Sequence, residues 1–153
     1  MANIKNELES VKAFVADSFP VGTKINLENT PAELVSKVAV ISLAGERTVT
    51  PETAAHDRVD STIQITYYGT NKLDCLQSME AVVRKLTNSR VIPLNGSDRH
   101  IKFHAPSMTA AYSTQTTGVF VIACMLRIHT RDALAQPNYP MMNHIGANIE
   151  GGV

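Results

Sequence analysis

Between Val59 and Tyr68 the side chains alternate without a break: Val59, Ser61, Ile63, Ile65 and Tyr67 on one side, Asp60, Thr62, Gln64, Thr66 and Tyr68 on the other. A period of two belongs to an extended chain, so this segment reads as a strand with one polar face. Residues 119–129 (VFVIACMLRIH) read as a strand of another kind. Phe120, Ile122, Cys124, Leu126 and Ile128 line one face and Val119, Val121, Ala123 and Met125 the other. A strand apolar on both faces belongs in the middle of a sheet. Ile63, Ile65, Ile122 and Leu126 are therefore expected in the core.

Two other segments carry the helical period. Ile4, Leu8, Val11, Val15 and Phe19 predict an amphipathic helix over 4–18, ended by Pro20 and Gly22. After Gly69, Thr70 or Asn71 can cap a helix over 71–88 whose apolar positions are Leu73, Leu76, Met79, Val83 and Leu86, with Asn88 closing it. Residues 35–43 (VSKVAVISL) are rich in β-branched side chains and predict a buried strand. Val91–Leu94 and Ile101–Phe103 read as a short hairpin around Asn95-Gly96-Ser97.

The remaining segments read as connections. Residues 21–31 offer at most a short extended piece. Residues 45–56 (GERTVTPETAAH) are polar, contain Pro51, and predict a long loop or flap. The Ser/Thr-rich stretch 105–118 reads as a strand end leading into a hairpin tip. Beyond Asp132, Pro137 and Pro140 with scattered Asn and Gly leave no period. The summed order predicts an α+β fold: a single domain over 1–132 with a mainly antiparallel sheet flanked by two amphipathic helices, and an irregular C-terminal extension over 133–153 that orders against a partner.

Charge narrows the function classes. Lys and Arg number 14 and so do Asp and Glu, a balance that argues against recruitment of nucleic acid or anionic membrane by bulk electrostatics. No apolar run approaches the roughly 20 residues of a membrane span, and Lys5, Glu7 and Glu9 interrupt any signal-like run at the N-terminus. No membrane contact is expected, and synthesis is expected in the cytoplasm. Cys75 and Cys124 lie inside apolar patterns, which fits reduced, packed thiols.

The sharpest chemical candidate is His100-Ile-Lys-Phe-His104. Histidines four apart chelate a metal on a helix face, but on a strand they stand about 13 Å apart, too far for one ion. They are expected to be solvated strand histidines, and His56, His129 and His144, which have no ligand spacing around them, surface or interface residues. No Gly-x-Ser-x-Gly elbow, catalytic cysteine signature or phosphate loop occurs. The carboxylate pairs Glu7/Glu9 and Asp57/Asp60 are expected on solvated faces. No catalytic, cofactor-binding or metal-binding residue is assigned, and no enzyme is expected.

The string Arg58-Val-Asp-Ser-Thr-Ile-Gln-Ile-Thr-Tyr-Tyr68, the Gly-Thr-Asn break and the helix Leu73 to Leu86 resemble the central strand and helix of the tail terminator (tail completion) proteins of tailed bacteriophages. The N-terminal helix, the strand 35–43, the flap, and the late strand with Arg127 and Thr130-Arg131-Asp132 occur in a similar order, so the resemblance covers roughly residues 1–132. It implies a structural virion protein in the neck of the tail, with no catalytic residues. Such subunits form a homo-oligomeric ring, usually a hexamer, that caps the tail tube protein, meets the head-tail connector protein and leaves a lumen for DNA. The extension 133–153 would then clasp a neighbour, a tail sheath or a connector. The alternatives are another neck or tail component, such as a head-completion or tube protein, or a small metal-dependent or ligand-binding α+β protein using His100, His104 and His129. In a conduit the duplex should pass without specific binding, so Lys24, Lys37, Arg47, Lys85 and Arg90 are expected to serve subunit contacts or solvation.

Overall fold

The computed structural model describes residues 3–133, with the side chain of Ala133 left aside. The predicted α+β class holds. Helix α1 (Ile4–Val15) runs into a single 3-10 turn at Ala16–Ser18, and the Asn3 side chain caps its start by accepting the Lys5 N–H at 2.9 Å. Strands β1 (Lys24–Leu27), β2 (Val38–Pro51) and β3 (His56–Gly69) follow, then helix α2 (Lys72–Ser89). Strands β4 (Val91–Pro93), β5 (His100–Phe103), β6 (Ser107–Met108), β7 (Tyr112–Ser113) and β8 (Phe120–Ala133) complete the sheet.

The strand order is β1-β2-β3-β8-β5-β4, with the two-residue strands β6 and β7 also paired to β8. Every pairing is antiparallel except β1 with β2. The strand read as central is central: β8 lies between β3 and the row formed by β5, β6 and β7. Both helices join one apolar cluster with the same sheet face. Leu8, Val11 and Val15 of α1 and Cys75, Met79, Val82 and Leu86 of α2 pack with Ala39, Ile41, Ile63, Ile65, Tyr67, Ile122, Cys124, Leu126 and Ile128. The four expected core residues Ile63, Ile65, Ile122 and Leu126 are all fully buried.

Four expectations are corrected. First, residues 45–51 are not a loop. After a bulge at Ala44–Glu46, where the register jumps between Leu43 and Arg47, β2 continues to Pro51 against β3, and only residues 52–55 turn. Gly45 takes φ +92 inside the bulge, a conformation L side chains rarely adopt, so the bulge is glycine's work. Second, Glu7 is not solvated: it is 1% exposed. Third, the inward stripe of α2 is Cys75, Met79, Val82 and Leu86, so Leu73 and Leu76 face outward at 63% and 38% exposure. Fourth, the helix is closed by Arg90, left-handed at φ 61, and not by Asn88. The stretch 105–118 contributes β6 and β7, two brief rungs on β8.

Gly69 is required by contact, not by φ. A Cβ there would lie 2.7 Å from Asp74 Oδ2 and 2.8 Å from Cys75 Sγ, because the first turn of α2 folds back onto the end of β3. That turn is held by Asn71 Oδ1, which accepts from the Asp74 N–H at 2.8 Å, and by Asp74 Oδ2, which accepts from Tyr67 Oη and the Thr70 N–H, both at 3.1 Å. Gly69→Ala is expected to destabilise the fold by about 1–3 kcal/mol through overpacking, read as a drop in urea midpoint; an unchanged midpoint would mean α2 can back away freely.

Candidate functional site

Among the described residues, the histidines are not gathered into a metal site. His100 is exposed at the start of β5 and His104 is exposed just past its end, as expected of solvated histidines. Of the three histidines grouped in the metal-binding alternative, two are neighbours across strands: the His104 and His129 rings lie 5.8 Å apart between centroids. No group of three His, Cys, Asp or Glu side chains among the described residues is placed to hold a metal ion. His56 is exposed at the start of β3, and His144 lies outside the described residues.

His129 is half-buried, and its Nδ1 has no hydrogen-bond partner among the described residues. Desolvation by burial, with the Arg58, His104 and Lys102 charges, holds its pKa below the usual 6.5, against an opposing pull from Asp60. A histidine depressed in the folded state supports the fold above its unfolded pKa and opposes it as pH falls through the folded one. Thermal stability is therefore expected to drop between pH 7.5 and pH 5, and His129→Gln to flatten part of that drop. Parallel curves for the two proteins would contradict this.

The thiols are packed as expected, and both are buried and free. Burial pushes Cys124 up to about 11 and Cys75 upward as well, so neither offers a thiolate nucleophile near neutral pH.

Among the described residues, a buried charge cluster around Glu7 ties α1 to the sheet. Arg47 grips the Glu7 carboxylate with two nitrogens, at 2.5 and 3.1 Å, and also donates to Ser61 Oγ at 3.0 Å. Thr130 Oγ1 donates at 3.0 Å to Glu7 Oε1, the oxygen that also takes the 3.1 Å bond from Arg47. The β2 bulge sets Arg47 opposite Ser61 on the helix-facing side, over Glu7. With residues from α1, β2, β3 and β8 engaged, this cluster is structural. Arg47 and Lys85 thus act within the chain, contrary to the expectation of subunit contacts or solvation. Lys85 pairs with Asp17 at 2.5 Å and lies over the Phe14 ring at 4.7 Å. Lys24, Lys37 and Arg90 remain exposed.

Among the described residues, the opposite face of the sheet carries no helix. Near β1 it forms a shallow groove of about 390 Å³ with Val40, Gln64, Thr66, Tyr68, Tyr112 and Val121 on its walls. Farther along, the register aligns Asp60, His129 and Lys102 in one row and Thr62 and Arg127 in the next, with Arg58 opposite Arg131. Arg58 pairs with Asp60 at 3.0 Å and Arg131 with Glu52 at 2.5 Å, while Lys102 and Arg127 are exposed. This face offers hydroxyls, amides and a few cations over three long strands. Among the described residues, neither groove on it is enclosed, and its breadth suits contact with another surface.

Past the Arg47–Ser61 pair, β2, β3 and the end of β8 extend together as a three-stranded arm. Residues 48–54 are all exposed, Val49 at 61%.

No family model matches the chain, and no curated protein does. Among solved structures, a chain of the virion of a native gene transfer agent particle is similar over 78% of this chain and 86% of its own, at 18% identity and a TM-score of 0.41. A TM-score of that size does not establish a shared fold.

Proposed function

We propose that this chain is a structural virion protein of the tail-terminator type, a ring that closes the tail tube, meets the head-tail connector and leaves a lumen for DNA. The observation that carries the reading is the division of the sheet. One face is consumed by two helices and a single apolar cluster, while the other, built on three 14-residue strands, has no helix over it among the described residues and passes from buried Val40 and Val121 at one end to Asp60, Thr62, Lys102 and Arg127 at the other. A subunit with a finished core and a broad second face fits assembly better than turnover of a small molecule. The sequence resemblance over residues 1–132 supplies the ring, the hexamer and the position at the end of the tube. The extension 133–153, which the structure does not describe beyond Ala133, is assigned to clasping a neighbour, a connector or a sheath.

The test is to add the purified full-length chain to tube protein that is polymerising. A terminator gives short tubes closed at one end and no growth of its own. Self-polymerisation into open tubes would favour the tube-protein reading, and undiminished tube growth would contradict the proposal. DNA is expected to pass without specific binding. Filter binding across a salt series checks this, and a steep salt slope, with Arg58, Lys102 and Arg127 as its natural source, would overturn it.

A further inference from the structure

Between the start of α1 and the nearby edge of the sheet lies an open groove of about 500 Å³. Ile4 and Leu8 of α1, Leu27 at the end of β1 and Leu43 of β2 line it, with Lys5 and Glu28 beside them. Leu8 is buried, while Ile4, Leu27 and Leu43 are half-buried. The groove follows from the way β1 stops. Glu28 takes a left-handed backbone at φ 62, and its carboxylate accepts the Leu43 N–H at 2.7 Å in place of a further rung of β1. The apolar stripe of α1 therefore begins, at Ile4, over a gap lined by leucines.

Residues 134–153 carry chemistry that suits this gap. Glu150 is the sole Asp, Glu, Lys or Arg among them, and Met141, Met142, Ile145 and Ile149 supply large apolar side chains. A segment without charges enters an apolar groove with no ion to desolvate, and unbranched methionine adapts to irregular apolar space.

The direction of β8 decides which groove Met141 and Met142 reach. Leu43 lies opposite Ile63, whereas Ala133 lies opposite His56, seven β3 residues farther on, or about 24 Å. Two strand spacings add about 10 Å sideways. Met141 is eight residues past Ala133, a reach of at most about 29 Å, and β8 delivers the chain heading away from the groove. Turning back uses up the reach that its own groove requires.

We propose that Met141 and Met142 of one subunit fill the groove between α1 and Leu43 of the next. The inference rests on the ring reading, and it selects a neighbouring copy from the partners open to the extension. Donor segment and groove are different patches, so the contact is heterologous and repeats around a closed ring.

The test is disulfide trapping in the full-length chain, where buried Cys75 and Cys124 leave an added surface thiol as the reactive one. Lys5→Cys and Met142→Cys variants are mixed as dilute monomers, concentrated into the assembly and oxidised. A link between the two chains is expected, in at least tenfold higher yield than when Arg84→Cys on the exposed side of α2 replaces Lys5→Cys. A second variant, Met142→Asp, is expected to raise the midpoint concentration of assembly about tenfold, the equivalent of ~1.4 kcal/mol, with the monomer's melting temperature unchanged. Equal yields from the two partners, an unchanged midpoint, or a ring that forms with no link overturns the inference and leaves the ring reading standing. So does a link that forms only within one chain carrying both cysteines, or a lowered monomer melting temperature, since the extension would then fill its own groove. A chain that stays monomeric at every concentration overturns the ring reading and this contact with it.

Discussion

Replacing Glu7 by Ala is expected to cost about 3–5 kcal/mol of folding stability, nearer the lower figure because Arg47 keeps 20% exposure. The loss comes less from the missing attraction than from what remains. The Arg47 guanidinium, Ser61 Oγ and Thr130 Oγ1 would be left around a vacancy, with a cation largely out of water. Removing the pair together, by Glu7→Leu with Arg47→Met, is expected to restore most of the loss, since a buried ion pair and a well-packed apolar pair differ little in net stability. Urea unfolding of the two variants decides between this and an ordinary surface bridge, for which Glu7→Ala would cost under about 1 kcal/mol.

Leu126→Ala is the second large effect, expected at about 2–5 kcal/mol. Leu126 is fully buried opposite Ile63 at the centre of the β3–β8 ladder, under the helices that complete the core. The neighbours come from several elements, so the sheet cannot close over the space without moving a helix, and a residual cavity is the expected result. Ile122→Ala, fully buried opposite Tyr67, is expected in the same range. Thermal stability unchanged in both variants would contradict the assignment of the β8 face.

What could be read in the sequence was local. The alternation over 59–68 marked β3 because one face is buried, and the apolar run 119–129 marked a central strand because both its faces are partly covered. The arm was not legible. Residues 48–54 are exposed, so no burial imposes an apolar period on β2 there, and the strand is held by its ladder to β3. The apolar face of α2 was misjudged at its first turn, where Leu73 and Leu76 are apolar yet stand outside the stripe that begins at Cys75. Glu7 could not be told from Glu9 by local pattern, because its partner Arg47 is 40 residues away and is delivered by a bulge. The exposure of His100 and His104 was legible, because Ile101 and Phe103 alternate with them. The His104–His129 neighbour depended on the β5–β8 register, which the segments alone do not contain.

The proposed function requires this chain to assemble into a closed ring. The most direct measurement is the mass of the purified full-length protein in solution by light scattering, with negative-stain images of the same sample. The expected result is a single closed species, a hexamer, seen end-on as a ring with a central hole. A monomer at every concentration, a two-fold dimer or an open filament would contradict it.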